Sequence, residues 1–251
     1  MPVQLKAPRS RRRARAVPPR PHPVGGWKAI ALRLAGGAVA LWGVLSLIGL
    51  LFTHVLNTGS AHSADRGVDV WFAARRTGVW NDITFFGTSM ATTDTAIAVT
   101  VVVVLFLRWR LGRWYESLVM IAAMAGELLI FLAVTQTVHR PRPPVARLDV
   151  APPTSSFPSG HTAAATALYV GLAILMFWIY GRRPVTRVAA VVLCCIPFVV
   201  GLSRLYRGMH YPSDVLSGAL LGVLWLLVVM TTLLPREQRS TRRSGHDPAR
   251  R

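Results

Sequence analysis

Residues 162–180 read TAAATALYVGLAILMFWIY, and residues 188–202 read VAAVVLCCIPFVVGL. Only GRRPVTR (181–187) separates them. Two apolar runs without charge, joined by a short basic turn, suit a bilayer and not water. A helix needs about 20 apolar residues to cross about 30 Å of hydrocarbon. Four more stretches meet that need: 34–56, 85–107, 117–138 and 215–234. The run 188–202 is the shortest and holds Pro197, yet no charge interrupts it. The expected fold class is therefore all-α and integral to the membrane, a bundle of six transmembrane helices.

Composition agrees. The chain has 251 residues, 52% hydrophobic and 16% charged, with a formal net charge of +19. Long apolar blocks with charge between them exclude a disordered chain and fit a water-soluble globule poorly. Cys194 and Cys195 are adjacent inside an apolar run, so they cannot staple distant segments. The first apolar run is too long for a cleavable signal peptide, and no clear small-residue cleavage site follows it.

Basic residues set the orientation. Segments 1–33, 108–116, 181–187 and 235–251 carry 21 of the 29 Lys and Arg residues. Positive charge collects on the cytoplasmic side, so both termini are expected there. Three regions follow. Residues 1–29 form a basic, Pro-rich arm expected to lack fixed structure. Residues 30–234 form the six-span domain, and 235–251 a basic tail. The arms are expected to set topology and touch anionic lipid heads. Nucleic acid is not an expected partner, because no aromatic interleaving or reader module accompanies the charge. Oligomeric state is not legible.

Residues 57–84 follow the first span. Val68, Trp71, Phe72, Val79, Trp80 and Ile83 lie roughly along one helical face, with Arg75 and Arg76 able to snorkel. This pattern predicts an interfacial helix between spans one and two. Asp94 and Glu127 fall within apolar runs, where an acid is functional by default. The milder reading, a boundary residue for Asp94 and a hydrogen-bonded or protonated packing residue for Glu127, is preferred here. Asp65, Asp69, Asp82, Asp149 and Asp214 are scattered along the sequence. A two-metal hydrolase needs such groups gathered, so no metal and no cofactor is expected.

The chemistry lies in loops on the outer side. His139-Arg140-Pro141-Arg142-Pro143 follows span three, and Pro158-Ser159-Gly160-His161 opens span four. Ser203-Arg204 ends span five, and His210 and Asp214 lead into span six. Antiparallel spans bring all of these to one membrane face. Ser159 is a candidate helix cap, and Gly160 permits close backbone approach to a ligand. Free N–H groups at that helix start, with Arg142 and Arg204, would bind a tetrahedral oxyanion. Asp214, four residues after His210, can orient its imidazole and free the other nitrogen to attack. His161 can protonate the leaving oxygen. Together these groups support phosphoryl transfer through a phosphohistidine.

These motifs resemble those of the type 2 phosphatidic acid phosphatases, which share a fold and site with vanadium haloperoxidases and acid phosphatases. The family pattern begins with Lys, six intervening residues and Arg-Pro; here Arg142-Pro143 fits, but Thr135 stands at the Lys position. Its second part is Pro158–His161, and its third is Ser203, Arg204, His210 and Asp214. The resemblance implies His210 as nucleophile, Asp214 as its partner and His161 as general acid. It implies Arg142, Ser159, Gly160 and Arg204 as phosphate ligands, with Thr135 and Arg140 as auxiliary candidates, Arg140 reaching in for the absent Lys. The expected substrate is a lipid phosphate or diphosphate, hydrolysed without metal at the outer face of the cell membrane. A non-catalytic lipid-phosphate binder or transporter on the same fold is the alternative, and a vanadate-dependent haloperoxidase a more distant one.

Overall fold

The computed structural model describes residues 26–56 and 58–234. The basic arm before residue 26 and the tail after residue 234 lie outside the described residues. Within them the secondary structure is helical throughout. Helix α1 (Trp27–Leu50) runs on through a π turn (Leu51–Val55). Helices α2 (Ser60–Ala73) and α3 (Gly78–Ser89) follow, then α4 (Thr93–Leu111) and α5 (Tyr115–Thr137). A long loop leads to α6 (Gly160–Ala165), which continues through a π turn (Thr166–Val170) into α7 (Gly171–Tyr180). Helices α8 (Pro184–Tyr206) and α9 (Pro212–Leu233) complete the bundle.

Five of these segments are long and apolar enough to span a membrane: Trp27–Val55, Tyr115–Thr137, Gly160–Tyr180, Pro184–Tyr206 and Pro212–Leu233. The remaining expected span, 85–107, falls on a bent pair, α3 with α4, which meet at 48°. Thr92 causes the break, because its hydroxyl accepts from the Thr95 N–H and starts a new helix. Asp94 then sits exposed in the first turn of α4, where the helix dipole favours a carboxylate. The boundary reading of Asp94 agrees with this placement.

The segment 57–84 is not one helix. Arg75 and Arg76 interrupt it, and Thr77 caps α3 by accepting from the Trp80 N–H. The apolar face continues across the break with Trp71, Val79, Trp80 and Ile83 exposed. Arg75 stacks over the Trp71 ring at 4.2 Å. Arg76 does not snorkel outward; it donates to the carbonyls of Tyr206 and Ala146.

Turns and caps explain the remaining boundaries. Gly112 ends α4 with φ of 69° and Gly181 follows α7 with φ of 71°, a region that favours glycine. Pro184 and Pro212 open α8 and α9 at the first helical position, where proline loses no hydrogen bond. The core lies between α1, α5, α6 and α9, around Leu45, Met120, Val134, Phe157, Leu168, Leu221 and Val229. Trp225 on α9 donates to the carbonyls of Ala122 and Ala123 on α5 and ties the two spans together. Outward faces carry Leu105, Phe106, Leu129, Leu202 and Leu227, all exposed, as a lipid-facing surface requires.

Candidate active site

The loop between α5 and α6 carries half of the site, and buried polar bonds hold it in place. Ser156 N–H donates to the Arg140 carbonyl at 2.9 Å, and Leu148 N–H to the Arg207 carbonyl at 3.1 Å. Asp149 accepts from Arg204 Nη1 at 2.9 Å and from Arg207 Nε at 2.8 Å. Thus the loop is clamped on the end of α8. Arg142, Gly160, His161, Arg204 and His210 all line one cavity of about 450 Å³. The sequence motifs therefore meet at a single place.

His210 is buried between α8 and α9. Its Nδ1 lies 2.8 Å from the Ser156 carbonyl oxygen. A carbonyl can only accept, so Nδ1 carries the proton and Nε2 keeps its lone pair. Nε2 lies 3.5 Å from Arg142 Nη1, which donates to the Met209 carbonyl. Burial, with Arg204 and Arg142 nearby, holds the imidazole well below its ordinary 6.5. His210 is thus a neutral base with one nitrogen facing the cavity.

Asp214 does not hold that imidazole directly. Its Oδ2 is 3.9 Å from His210 Nδ1, beyond hydrogen-bond range. It accepts instead from Ser156 Oγ at 2.5 Å and from Tyr211 N–H at 3.0 Å. The i,i+4 spacing alone suggests a direct pair. A capping box at the start of α9 draws the carboxylate to the backbone instead, and Ser156 relays its position to the histidine.

Arg140 is not a substitute for the missing Lys. Its Nη1 donates to Asp214 at 2.5 Å and to Ser213 Oγ at 2.7 Å, and its Nη2 to Asp65 at 3.0 Å. It stands behind Asp214, off the cavity wall. Thr135 is buried with its hydroxyl turned onto the Leu132 carbonyl at 2.9 Å, and it does not line the cavity. Ser159 sits at the cap position of α6 but makes no side-chain cap bond; its Oγ meets Thr162 Oγ1 at 3.0 Å. Its N–H donates to the Asp214 carbonyl at 2.9 Å. Ser159 therefore braces the loop rather than facing the cavity. The first-turn N–H groups of Gly160 and His161 have no intrahelical acceptor and remain available to an anion.

Arg204 is the main buried cation of the cavity. Its Nη1 is held by Asp149 and by Thr88 Oγ1, each at 2.9 Å. Its Nε is buried without a partner. Such a donor is costly unless a ligand satisfies it. The scattered acids prove to be partly gathered. Asp65 and Asp214 flank Arg140, and Asp69 lies close enough to feel all three. Burial first, then Asp65 and Asp214, push the Asp69 carboxyl up to about 8. Among the described residues no cluster of His, Cys, Asp or Glu has the arrangement of a metal site.

Ser156, Asp149, Thr88, Asp65 and Ser213 hold the site in place, and sequence motifs did not single them out for it. No spacing rule links Asp65 to Ser213 across 148 positions.

Residues 116–238 match the PAP2 superfamily. Phosphatidylglycerophosphatase B of Bacillus subtilis (strain 168) is 26% identical over 190 residues, covering 74% of this chain and 91% of that protein. Sphingosine-1-phosphate phosphatase 1 of Rattus norvegicus is 34% identical over 88 residues, covering 34% of this chain and 20% of that protein. The structure of a transmembrane PAP2 type phosphatidylglycerolphosphate phosphatase from Bacillus subtilis superposes with a TM-score of 0.67 at 22% identity, over 80% of this chain and 95% of that one. At that identity the superposition speaks for the fold. The PAP2 superfamily assignment thus rests on the second half of the chain, residues 116–238. The chain is a multi-pass membrane phosphatase, a phosphoric monoester hydrolase.

Proposed function

We propose that the protein hydrolyses a lipid phosphate or lipid diphosphate at the outer membrane face, through a phosphohistidine on His210 and without metal. One observation carries this reading. A single cavity joins Arg142, His161, Arg204 and His210 to an apolar slot between α4 and α5, lined by Ile97, Val101, Ile121 and Leu128. A phosphate at the polar end and a hydrocarbon chain in the slot would fill it.

His210 Nε2 attacks phosphorus while Nδ1–H stays on the Ser156 carbonyl. Arg142, the open Nε of Arg204 and the first-turn N–H groups stabilise the equatorial oxygens. The phosphorus–oxygen bond to the lipid breaks, and His161, protonated once the anionic phosphate is bound beside it, gives that proton to the departing alkoxide. Water then attacks the phosphohistidine. His161, now a base, takes the water's proton, and inorganic phosphate leaves. The guanidinium groups supply the positive charge that a metal supplies elsewhere. Arg140, Asp214 and Ser156 are positioning residues in this scheme.

The domain limits and both cytoplasmic termini belong to the same proposal. They put the loops of residues 138–159 and 207–211 on the outer face, where lipid headgroups lie. Phosphate release by purified protein in detergent tests the reading, over a panel of lipid phosphates and with a chelator present. Release by the parent chain and loss of it in His210→Ala is the expected result. Turnover that persists in the variant, or that depends on added metal, contradicts it.

A further inference from the structure

The cavity wall holds one carboxyl that the reaction does not use. Glu127 lies in the middle of α5, is 2% exposed, and lines the cavity among apolar neighbours. No ion pair or side-chain hydrogen bond holds it among the described residues. A packing carboxyl would be bonded to a neighbouring helix, because an unpaired one inside a bilayer is costly. This one faces the space that a substrate would enter.

Its depth identifies what it meets. Phe131 is one turn further along α5, and its ring lies 2.8 Å from where a Cβ on Gly160 would stand. Phe131 therefore abuts the start of α6, where the phosphate would sit. Glu127 is about 6 Å deeper along the helix axis. A group at that depth is a few bonds beyond the phosphate oxygen, at the start of the lipid's chain. Beyond it the slot is apolar, with Ile97, Val101 and Ile121.

We infer that Glu127 selects lipid phosphates with a hydrogen-bonding group just beyond the phosphate, such as the hydroxyl and amine of an amino-alcohol lipid, over those that continue directly as hydrocarbon. The inference rests on the reading of this cavity as the lipid-phosphate site. A polyprenyl phosphate would leave the carboxyl unpaired, whereas a hydroxyl or amine satisfies it. Discrimination of this kind is large because a buried polar group left without its partner is penalised in full.

The test is a ratio, which cancels any loss of folded protein. It compares a sphingoid-base phosphate with farnesyl phosphate, for the parent chain, Glu127→Gln and Glu127→Leu. The preference for the amino-alcohol lipid should fall about tenfold in Glu127→Leu, and less in Glu127→Gln, which keeps a hydrogen-bonding amide. The ratio is read twice: as kcat/KM, and as equilibrium binding with His210→Ala added to each chain. Absence of phosphate release with the binding ratio shifted as expected would remove the phosphatase reading and leave the selector. A ratio unchanged by Glu127→Leu in the binding measurement would overturn the inference, with or without turnover.

Discussion

At His210 the fold fixes a tautomer before any substrate arrives. The Ser156 carbonyl takes the Nδ1 proton, and burial beside two arginines keeps the ring neutral. The proposed nucleophile is the unprotonated form, and its value is depressed, so acid disables it only below the ordinary range. The limb of kcat/KM due to His210 is therefore expected below pH 6.5, with activity falling as pH drops through the depressed value. A limb that follows His210 at or above 6.5 would show that the ring is not held neutral. Behind it, Arg140 neutralises two buried carboxylates. Arg140→Ala strands both, and breaking such a pair costs about 3–5 kcal/mol. Denaturant unfolding in micelles should show that loss, with Arg140→Lys intermediate because an ammonium lacks the fork. The side chains that line the cavity, Arg142, His161, Arg204 and His210, were legible as short motifs, because their spacing is local to each loop. Their supports were not. Asp149 and Asp65 reach their arginines only through tertiary folding, and Asp214 had a backbone donor to satisfy that no spacing rule reveals.

Between elements, small residues set the distances that chemistry needs. A Cβ on Gly218 would stand 2.3 Å from the Ser159 carbonyl oxygen. Helix α9 thus packs directly on the loop that presents Gly160 and His161. Gly218→Ala must move that loop, and a displacement of about 1 Å costs on the order of 100-fold in rate. Gly36→Ala on α1, where a Cβ meets nothing within 4 Å, is the matched control and should retain parent kinetics. Equal activity in the two variants would show that α9 does not position the site. Helix existence was readable from apolar length for five spans, and for a sixth only if the bent pair α3 and α4 is taken as one. Breaks were harder to read. The second span bends at Thr92, and the segment after span one divides at Arg75–Thr77. In each case the apolar pattern continues across a capping residue, so periodicity alone sees no interruption.

Across the whole molecule, an exposed apolar exterior surrounds a cavity that gathers Arg142, His161, Arg204 and His210. In the proposed topology, the bias of basic residues in the connecting segments puts the polar end of that cavity on the outer side. A membrane-impermeant maleimide tests this in intact cells, with Cys194 and Cys195 replaced by serine. Val150 is 95% exposed in the α5–α6 loop, so Val150→Cys should react from outside. Arg182→Cys, in the exposed turn before α8, should react only after permeabilisation. The opposite pattern would reverse the topology and place the reaction at the inner leaflet. The central claim is covalent: during turnover the phosphoryl group is held on His210. Alkaline quenching of a working sample, which preserves phosphohistidine, followed by peptide mass spectrometry, measures this directly. One phosphoryl group on His210 in the parent chain, absent from His210→Ala, is the predicted result. Phosphate release without any phosphoryl-enzyme, or with the group on another residue, would contradict it.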